Sequence, residues 1–333
     1  MATSKSNETK TVIFQQLIQK NGTYYDKHEN KPFTGIAFQP RFKDNPFDLS
    51  AKIAEKTFLD GKLDGLSTWF SCNGEKKIQM QFKEGALHGR CEQFTRYGKE
   101  MIVKIQKYKN GTLNGVSEWL KKDGRLIKIE TYVDGRKDGP RIDYYCRGGF
   151  PKETSIKKQG NYSGGVPNGL WQSYYPEDIL KSTGLYKMGR RHGLWEWFYQ
   201  NQGPMYSMHY KHGKLHGPLL SFHREIKLNG TKLNRSPEIP KNLPGPLETK
   251  GMFINSKREG LWQRFTPDGK IFCRATYKKG AIIEWECFDS LGQPEPLSIA
   301  ISNKRKPYID VMECDYSEHA TNCDCGFDDD IPF

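Results

Sequence analysis

The sequence predicts an all-β protein: an elongated antiparallel sheet of repeated β-hairpins followed by a disordered acidic C-terminal tail. Three observations predict it. The pattern aromatic-x-x-Gly-x-x-x-Gly recurs along the chain, mostly at a spacing of 24 residues. Glycine is abundant, 33 in 333 residues, and is regularly placed. Aromatic content is 13 % while mean hydropathy is low, −0.79, which fits many short strands, tight turns and a modest core.

In chain order, residues 1–13 are polar and read as a flexible N-terminal arm. Residues 14–57 read as a divergent first repeat or cap. Asn21-Gly22 marks a turn ahead of Tyr24 and Tyr25, and Pro32-Phe33-Thr34-Gly35 leads into Ile36 and Phe38. Residues 40–55, with Pro40, Pro46 and Phe47, break the pattern and read as an insertion. The array proper spans 58–292. Its aromatic starts are Phe58, Phe82, Tyr108, Tyr132, Tyr162, Tyr186, Tyr210, Phe253 and Tyr277.

The glycine pairs are Gly61/Gly65, Gly85/Gly89, Gly111/Gly115, Gly135/Gly139, Gly165/Gly169, Gly189/Gly193 and Gly213/Gly217. Each unit then reads as a strand, a tight turn and a second strand, with aromatics stacking along one face. A single hairpin of this kind is marginal, so the units are stable only when stacked. Ser256 replaces a first glycine and Glu284 a second, as expected of degenerate capping repeats. The stretch 229–250, with Pro237, Pro240, Pro244 and Pro246, is too proline-rich for a central strand and reads as an exposed loop. Residues 293–307 form a boundary, with Leu297–Ile301 as a candidate last strand, and 308–333 form the acidic tail.

The formal charge is +13 and unevenly placed. Residues 308–333 hold eight acidic residues and no Lys or Arg, which leaves the preceding 307 residues at +21. A basic body suits an acidic partner, and the tail can fold back on the body when no partner is present. No signal peptide or membrane-length apolar run is visible, so a cytoplasmic chain with reduced cysteines is expected. On that reading Cys72, Cys91, Cys146, Cys273 and Cys287 are core or surface thiols.

No phosphate loop, HExxH, serine elbow or CxxC occurs, so neither catalysis nor a cofactor is expected. His88, His192, His212 and His216 sit in the repeat turns, mostly beside the second glycine, and read as solvated rather than metal-binding. Cys314, His319, Cys323 and Cys325 form a weak candidate zinc set, because Cys-x-Cys is tighter than common zinc spacings. Basic residues interleaved with Trp and Tyr make nucleic acid a secondary candidate partner.

Two resemblances add to this reading. Phe58–Gly65 (FLDGKLDG) and Tyr210–Gly217 (YKHGKLHG), with Trp171, Trp195 and Trp262 in Gly-Leu-Trp, resemble the MORN-variant repeat of YwqK-type proteins over roughly residues 20–292. That resemblance implies a hairpin sheet and, from the label such proteins carry, an antitoxin that neutralises a toxin. The last seven residues, Phe327, Asp328, Asp329, Asp330, Ile331, Pro332 and Phe333, resemble the tip of the bacterial single-stranded-DNA-binding protein, SSB. This implies docking onto readers of that tip: exonuclease I, RecQ- or PriA-type helicases, RecO, the polymerase III chi subunit or uracil glycosylase.

The ring of Phe333 would fill an apolar pocket, its carboxylate would be captured there, and the aspartates would meet a basic rim. The expected function is a non-enzymatic adaptor or inhibitor with two contacts. An antitoxin acting through the repeats and a nucleic-acid binder shielded by its own tail are the alternatives.

Overall fold

A computed structural model describes residues 9–41, 52–97, 100–145, 155–224 and 245–295. These are nearly all strand, with two short 3-10 turns, Phe14–Gln16 and Pro176–Asp178, and no α-helix among them. The chain divides into two compact units, Met1–Asp143 and Tyr144–Phe333. Each is an antiparallel sheet of successive hairpins.

Unit 1 opens with β1 (Thr11–Ile13), β2 (Leu17–Lys20), β3 (Thr23–Asp26) and β4 (Gly35–Pro40). The residues β1 occupies were expected in the N-terminal arm; they run parallel to β4, with Val12 beside Ala37. β2 and β3 form a separate hairpin. Val12, Leu17, Phe33, Ala37 and Phe58 close a small core over this end, with Tyr24 and Phe58 rings 5.0 Å apart.

The meander follows through β5 (Lys52–Leu59), β6 (Lys62–Leu63), β7 (Gly65–Phe70), β8 (Lys76–Lys83) and β9 (Ala86–Tyr97). It continues through β10 (Glu100–Lys109), β11 (Thr112–Leu113), β12 (Gly115–Lys121), β13 (Leu126–Val133) and β14 (Arg136–Tyr144). Residues 52–55, expected in an insertion, belong to β5 and pair with β4, Glu55 opposite Phe38.

Unit 2 repeats the scheme in β15 (Ile156–Ser163), β16 (Val166–Tyr174), β17 (Leu180–Lys187), β18 (Arg190–Phe198) and β19 (Pro204–Lys211). Then come β20 (Lys214–Phe222), β21 (Leu247–Ile254), β22 (Lys257–Phe265), β23 (Ile271–Lys278) and β24 (Ala281–Cys287). Residues 247–250 of the expected proline-rich loop are thus strand, and Thr249 pairs with Ser221.

The first glycine of each pair closes a two-residue turn. In Asp134-Gly135 φ is +47° and +80°, the type I′ conformation that matches strand twist. Asn255-Ser256 holds the same turn without glycine, at +50° and +64°. Such a residue costs about 1–2 kcal/mol, and the Ser256 hydroxyl offsets part of it by accepting a hydrogen bond from the Leu215 N–H at 3.1 Å.

The second glycine, read with its neighbouring histidines as part of the turn, belongs instead to the second strand. The turn uses only two residues, so a glycine four positions further on falls beyond it. Gly89 lies within β9, Gly139 within β14, Gly169 within β16, Gly193 within β18 and Gly217 within β20, while Gly65 and Gly115 open β7 and β12. Strands β7, β9, β12, β16, β18 and β20 continue past their glycines to pair with the next hairpin: Gly169 opposes Tyr186, and Gly193 opposes Tyr210. His88, His192 and His216 are therefore strand residues, and of the four histidines His212 alone occupies a turn.

Toward the preceding strand the second glycine sits in a bulge. Between the pairs Phe82–Leu87 and Met80–Cys91, three residues including Gly89 oppose Gln81 alone. Asp138, Gly139 and Pro140 face Thr131 in the same way, and Gly169, Leu170 and Trp171 face Gly160. Gly193 and Leu194 are the two residues left over between the pairs Leu185–His192 and Gly184–Trp195.

Successive turns are tied together. The first-glycine N–H of one hairpin donates to a carbonyl of the preceding one, as in Gly85 to Leu63 (2.8 Å), Gly111 to Leu87 (2.7 Å) and Gly280 to Arg258 (2.9 Å). Side chains before the second glycine add to this ladder: Asp64 accepts from the Glu84 N–H at 3.0 Å and Glu259 from the Lys279 N–H at 2.7 Å.

One cysteine expectation is overturned. Cys273 on β23 and Cys287 on β24 are register partners and form a disulfide. Antiparallel pairing sets opposed side chains side by side on one face, a closeness that their 14-residue separation conceals. Cys91 is a buried free thiol, its pKa pushed up by burial, and Cys72 is exposed and free.

Candidate binding surfaces

One face of each sheet carries the repeat aromatics. In unit 2 its central row alternates small and large residues from strand to strand. It runs Gly160, Trp171, Gly184, Trp195, Met208, Leu219, Gly251, Trp262, Ala275 and Trp285. Each indole of the three Gly-Leu-Trp motifs lies on a glycine eleven residues earlier. A Cβ at Gly160, Gly184 or Gly251 would stand 2.1–2.2 Å from the ring carbons of Trp171, Trp195 or Trp262.

The indole N–H groups donate to backbone carbonyls, Trp171 to Asn161 (3.1 Å), Trp195 to Leu185 (2.9 Å) and Trp262 to Met252 (3.2 Å). Tyrosines pack edge-on between them, Tyr186 at 5.1 Å from Trp195 and Tyr162 at 5.4 Å from Trp171. Two guanidinium groups cap the row. Arg191 lies 4.7 Å from the Trp195 ring and bonds the Tyr210 hydroxyl at 3.2 Å, and Arg258 repeats this on Trp262 and Tyr277. These three tryptophans are at most 5 % exposed, so they present no ring for a nucleic-acid base to stack on. They are core.

Unit 1 fills the same row differently, with Ser67, Met80, Cys91, Gln106, Ser117, Glu130 and Arg141. Glu130 is buried. Its carboxylate meets Arg141 and Lys137 at 3.2 Å, Lys128 at 3.6 Å and the Tyr132 hydroxyl at 2.8 Å. Lys128 and Lys104 flank the Trp119 ring at 4.1 and 5.5 Å. Burial, and then the charge of Lys128, holds the Lys104 pKa below the usual lysine value.

The opposite face of unit 2 carries an exposed apolar stripe. Leu170, Leu185, Leu194, Met252 and Leu261 are 41–52 % exposed. With His209, Pro218 and Thr276 they form one row from β16 to β23, about 34 Å long at the usual strand spacing. Nearer the turns and on the same face stand exposed cations: Lys187, Arg190, Lys211, Lys214, Lys257 and Lys278. Lys187 opposes Arg190 directly, and Lys211 opposes Lys214. Like charges in register destabilise a strand pair, and no carboxylate among the described residues forms an ion pair with either couple.

All fourteen glycines of the seven pairs have positive φ. The first members, such as Gly165, Gly189 and Gly213, serve turns; the second members, Gly139, Gly169 and Gly193 among them, serve strands at their bulges. Residues 327–333 and the set Cys314, His319, Cys323 and Cys325 lie outside the described residues. His88 on β9 bonds the turn residue Asn110 at 3.1 Å, and the His192 ring lies 5.8 Å from that of His212, tilted by 57°. His192 and His216 are partly buried with Nδ1 shielded from solvent, where solvated rings were expected. Among the described residues no group of three or more His, Cys, Asp or Glu could hold a metal ion. No described helix is long and apolar enough to cross a membrane.

Sequence reasoning missed the third glycine, at 160, 184 and 251, and the signal was present as its constant eleven-residue offset from Trp.

No curated protein shows significant similarity to the chain. Residues 167–188 and 258–279 match the family model described as MORN repeat variant. Both segments start two residues before a second glycine, contain Gly-Leu-Trp and end on the residue before the glycine of the next turn. The likeness to the MORN repeat variant thus covers these two places.

Proposed function

We propose that the chain is a non-enzymatic adaptor that docks through residues 327–333 onto genome-maintenance enzymes that read SSB-type tips, with the hairpin sheet as a second contact. The observation that carries the reading is the heptapeptide Phe-Asp-Asp-Asp-Ile-Pro-Phe, which combines a restricted aromatic anchor with three carboxylates. MORN repeats are generally protein- or lipid-binding modules, which fits a sheet that recognises a partner. Neither repeat match bears on the heptapeptide or on a toxin. Two weak contacts on one chain reinforce each other when the linker spans them.

The test is a pull-down from bacterial lysate with the full chain and with a chain lacking Phe333. Exonuclease I, RecO or RecQ- and PriA-type helicases captured only by the intact chain support docking. Identical captures overturn it.

A further inference from the structure

We propose that the apolar stripe and cation rail on the open face of unit 2 form a recognition surface for an acidic amphipathic segment, and that residues 308–318 of this chain occupy it in the absence of a partner. The inference stands apart from the reading of the terminal heptapeptide.

Three observations support it. The face combines exposed leucines with cations, so its complement is a segment carrying apolar and acidic residues together. Residues 308–318 supply this: Ile309, Val311, Met312 and Tyr316 are interspersed with Asp310, Glu313, Asp315 and Glu318, with no Lys or Arg. The opposed pairs Lys187–Arg190 and Lys211–Lys214 repel each other in the uncovered sheet. A carboxylate placed between them removes that cost, a driving force that a neutral apolar partner lacks.

Reach is sufficient. The Glu295 N–H bonds the Cys287 carbonyl on β24, so the chain leaves the described sheet one strand beyond the stripe. Thirteen residues from there to Tyr308 span at most roughly 45 Å, against about 34 Å of stripe. A tether this short holds the segment at millimolar effective concentration, enough for a weak contact to be occupied.

The test is zero-length carbodiimide cross-linking of the full chain, read by mass spectrometry. Glycine-free buffer at low salt and a mixture of isotope-labelled and unlabelled chains separate contacts within one molecule from contacts between copies. The expected result is amide links within one molecule from Asp310, Glu313, Asp315 or Glu318 to Lys187, Lys211, Lys214 or Lys257. These links fall several-fold in high salt and in the double variant Leu185→Ser/Leu194→Ser, which alters two exposed side chains.

Links formed equally to Lys76 and Lys77 of unit 1, or none, overturn the proposal. Links only between labelled and unlabelled copies assign the face to a second copy and overturn the choice of occupant. Deleting Phe333 leaves the links in place; their loss there would assign the contact to the tip instead.

Discussion

The two units share a backbone plan and fill its central row in opposite ways. Unit 2 lays indoles on glycines and seals them with Arg191 and Arg258. Unit 1 places serines, a glutamine, a buried glutamate and an arginine at equivalent positions. The hairpin, its type I′ turn and its bulge therefore do not need a particular core chemistry. They need complementary volumes or complementary charges across neighbouring strands. Met208 and Leu219 show the rule inside unit 2: where the small residue is missing, the large one shrinks from Trp to Leu.

The sharpest break of this comparison is Trp262→Ala. Trp262 is fully buried on Gly251, and its loss is expected to cost about 3–5 kcal/mol. Hydrogen exchange resolved by strand should show the loss in β21–β23 with β7–β13 unchanged. The counterpart in unit 1 is Glu130→Ala, expected to cost about 3 kcal/mol because Lys128, Lys137 and Arg141 are left without their shared carboxylate. Its exchange signature should appear in β12–β14. If either variant loosens both units equally, the units do not fill their cores independently.

A double-mutant cycle at Met208 and Leu219 sharpens the volume rule. Met208→Gly alone opens a cavity, expected to cost about 2–5 kcal/mol, and Leu219→Trp alone overpacks, expected to cost about 1–3 kcal/mol. The double variant should recover much of that loss, with a favourable coupling of at least about 1 kcal/mol in urea unfolding. Additive losses would show that the Gly–Trp alternation is incidental.

The smallest effects are at the Asn255-Ser256 turn. Ser256→Ala keeps the unfavourable φ and loses the bond to Leu215, so about 1 kcal/mol of destabilisation is expected. Ser256→Gly relieves the backbone while losing the same bond and should be near neutral in thermal unfolding.

Much of this was legible in the sequence. The spacing of Phe58, Gly61 and Gly65 and its recurrences announced a strand and a tight turn, because positive φ is a local demand that glycine satisfies best. The place of the second glycine was less legible. Gly139, Gly169 and Gly193 look like turn residues in sequence, yet each lies inside a strand, unpaired at a bulge toward the preceding strand, and Gly169 and Gly193 pair with the following one. Ser256 was recognisable as a departure, although its compensating bond to a residue 41 positions earlier was not. The histidines read as solvated because their neighbours in the next turn lie some twenty residues on. The strand status of Thr11–Ile13 was hidden for a similar reason: its parallel partner β4 lies beyond an intervening hairpin.

The open face of unit 2 was the least visible. Leu170 and Leu194 look like ordinary repeat hydrophobics until the pleat shows that they point away from the tryptophans.

By itself the sequence determined the fold class, the repeat period and the turn positions, since these depend on residues close together in the chain. It also determined where charge concentrates, because that is a sum. The tertiary structure decided which residues meet: Cys273 with Cys287, Gly184 with Trp195, and Glu130 with three cations. Those meetings follow from register, and a shift of one residue would send every side chain of a strand to the other face. The two-residue turns set register within each hairpin; between hairpins the packing of neighbours sets it.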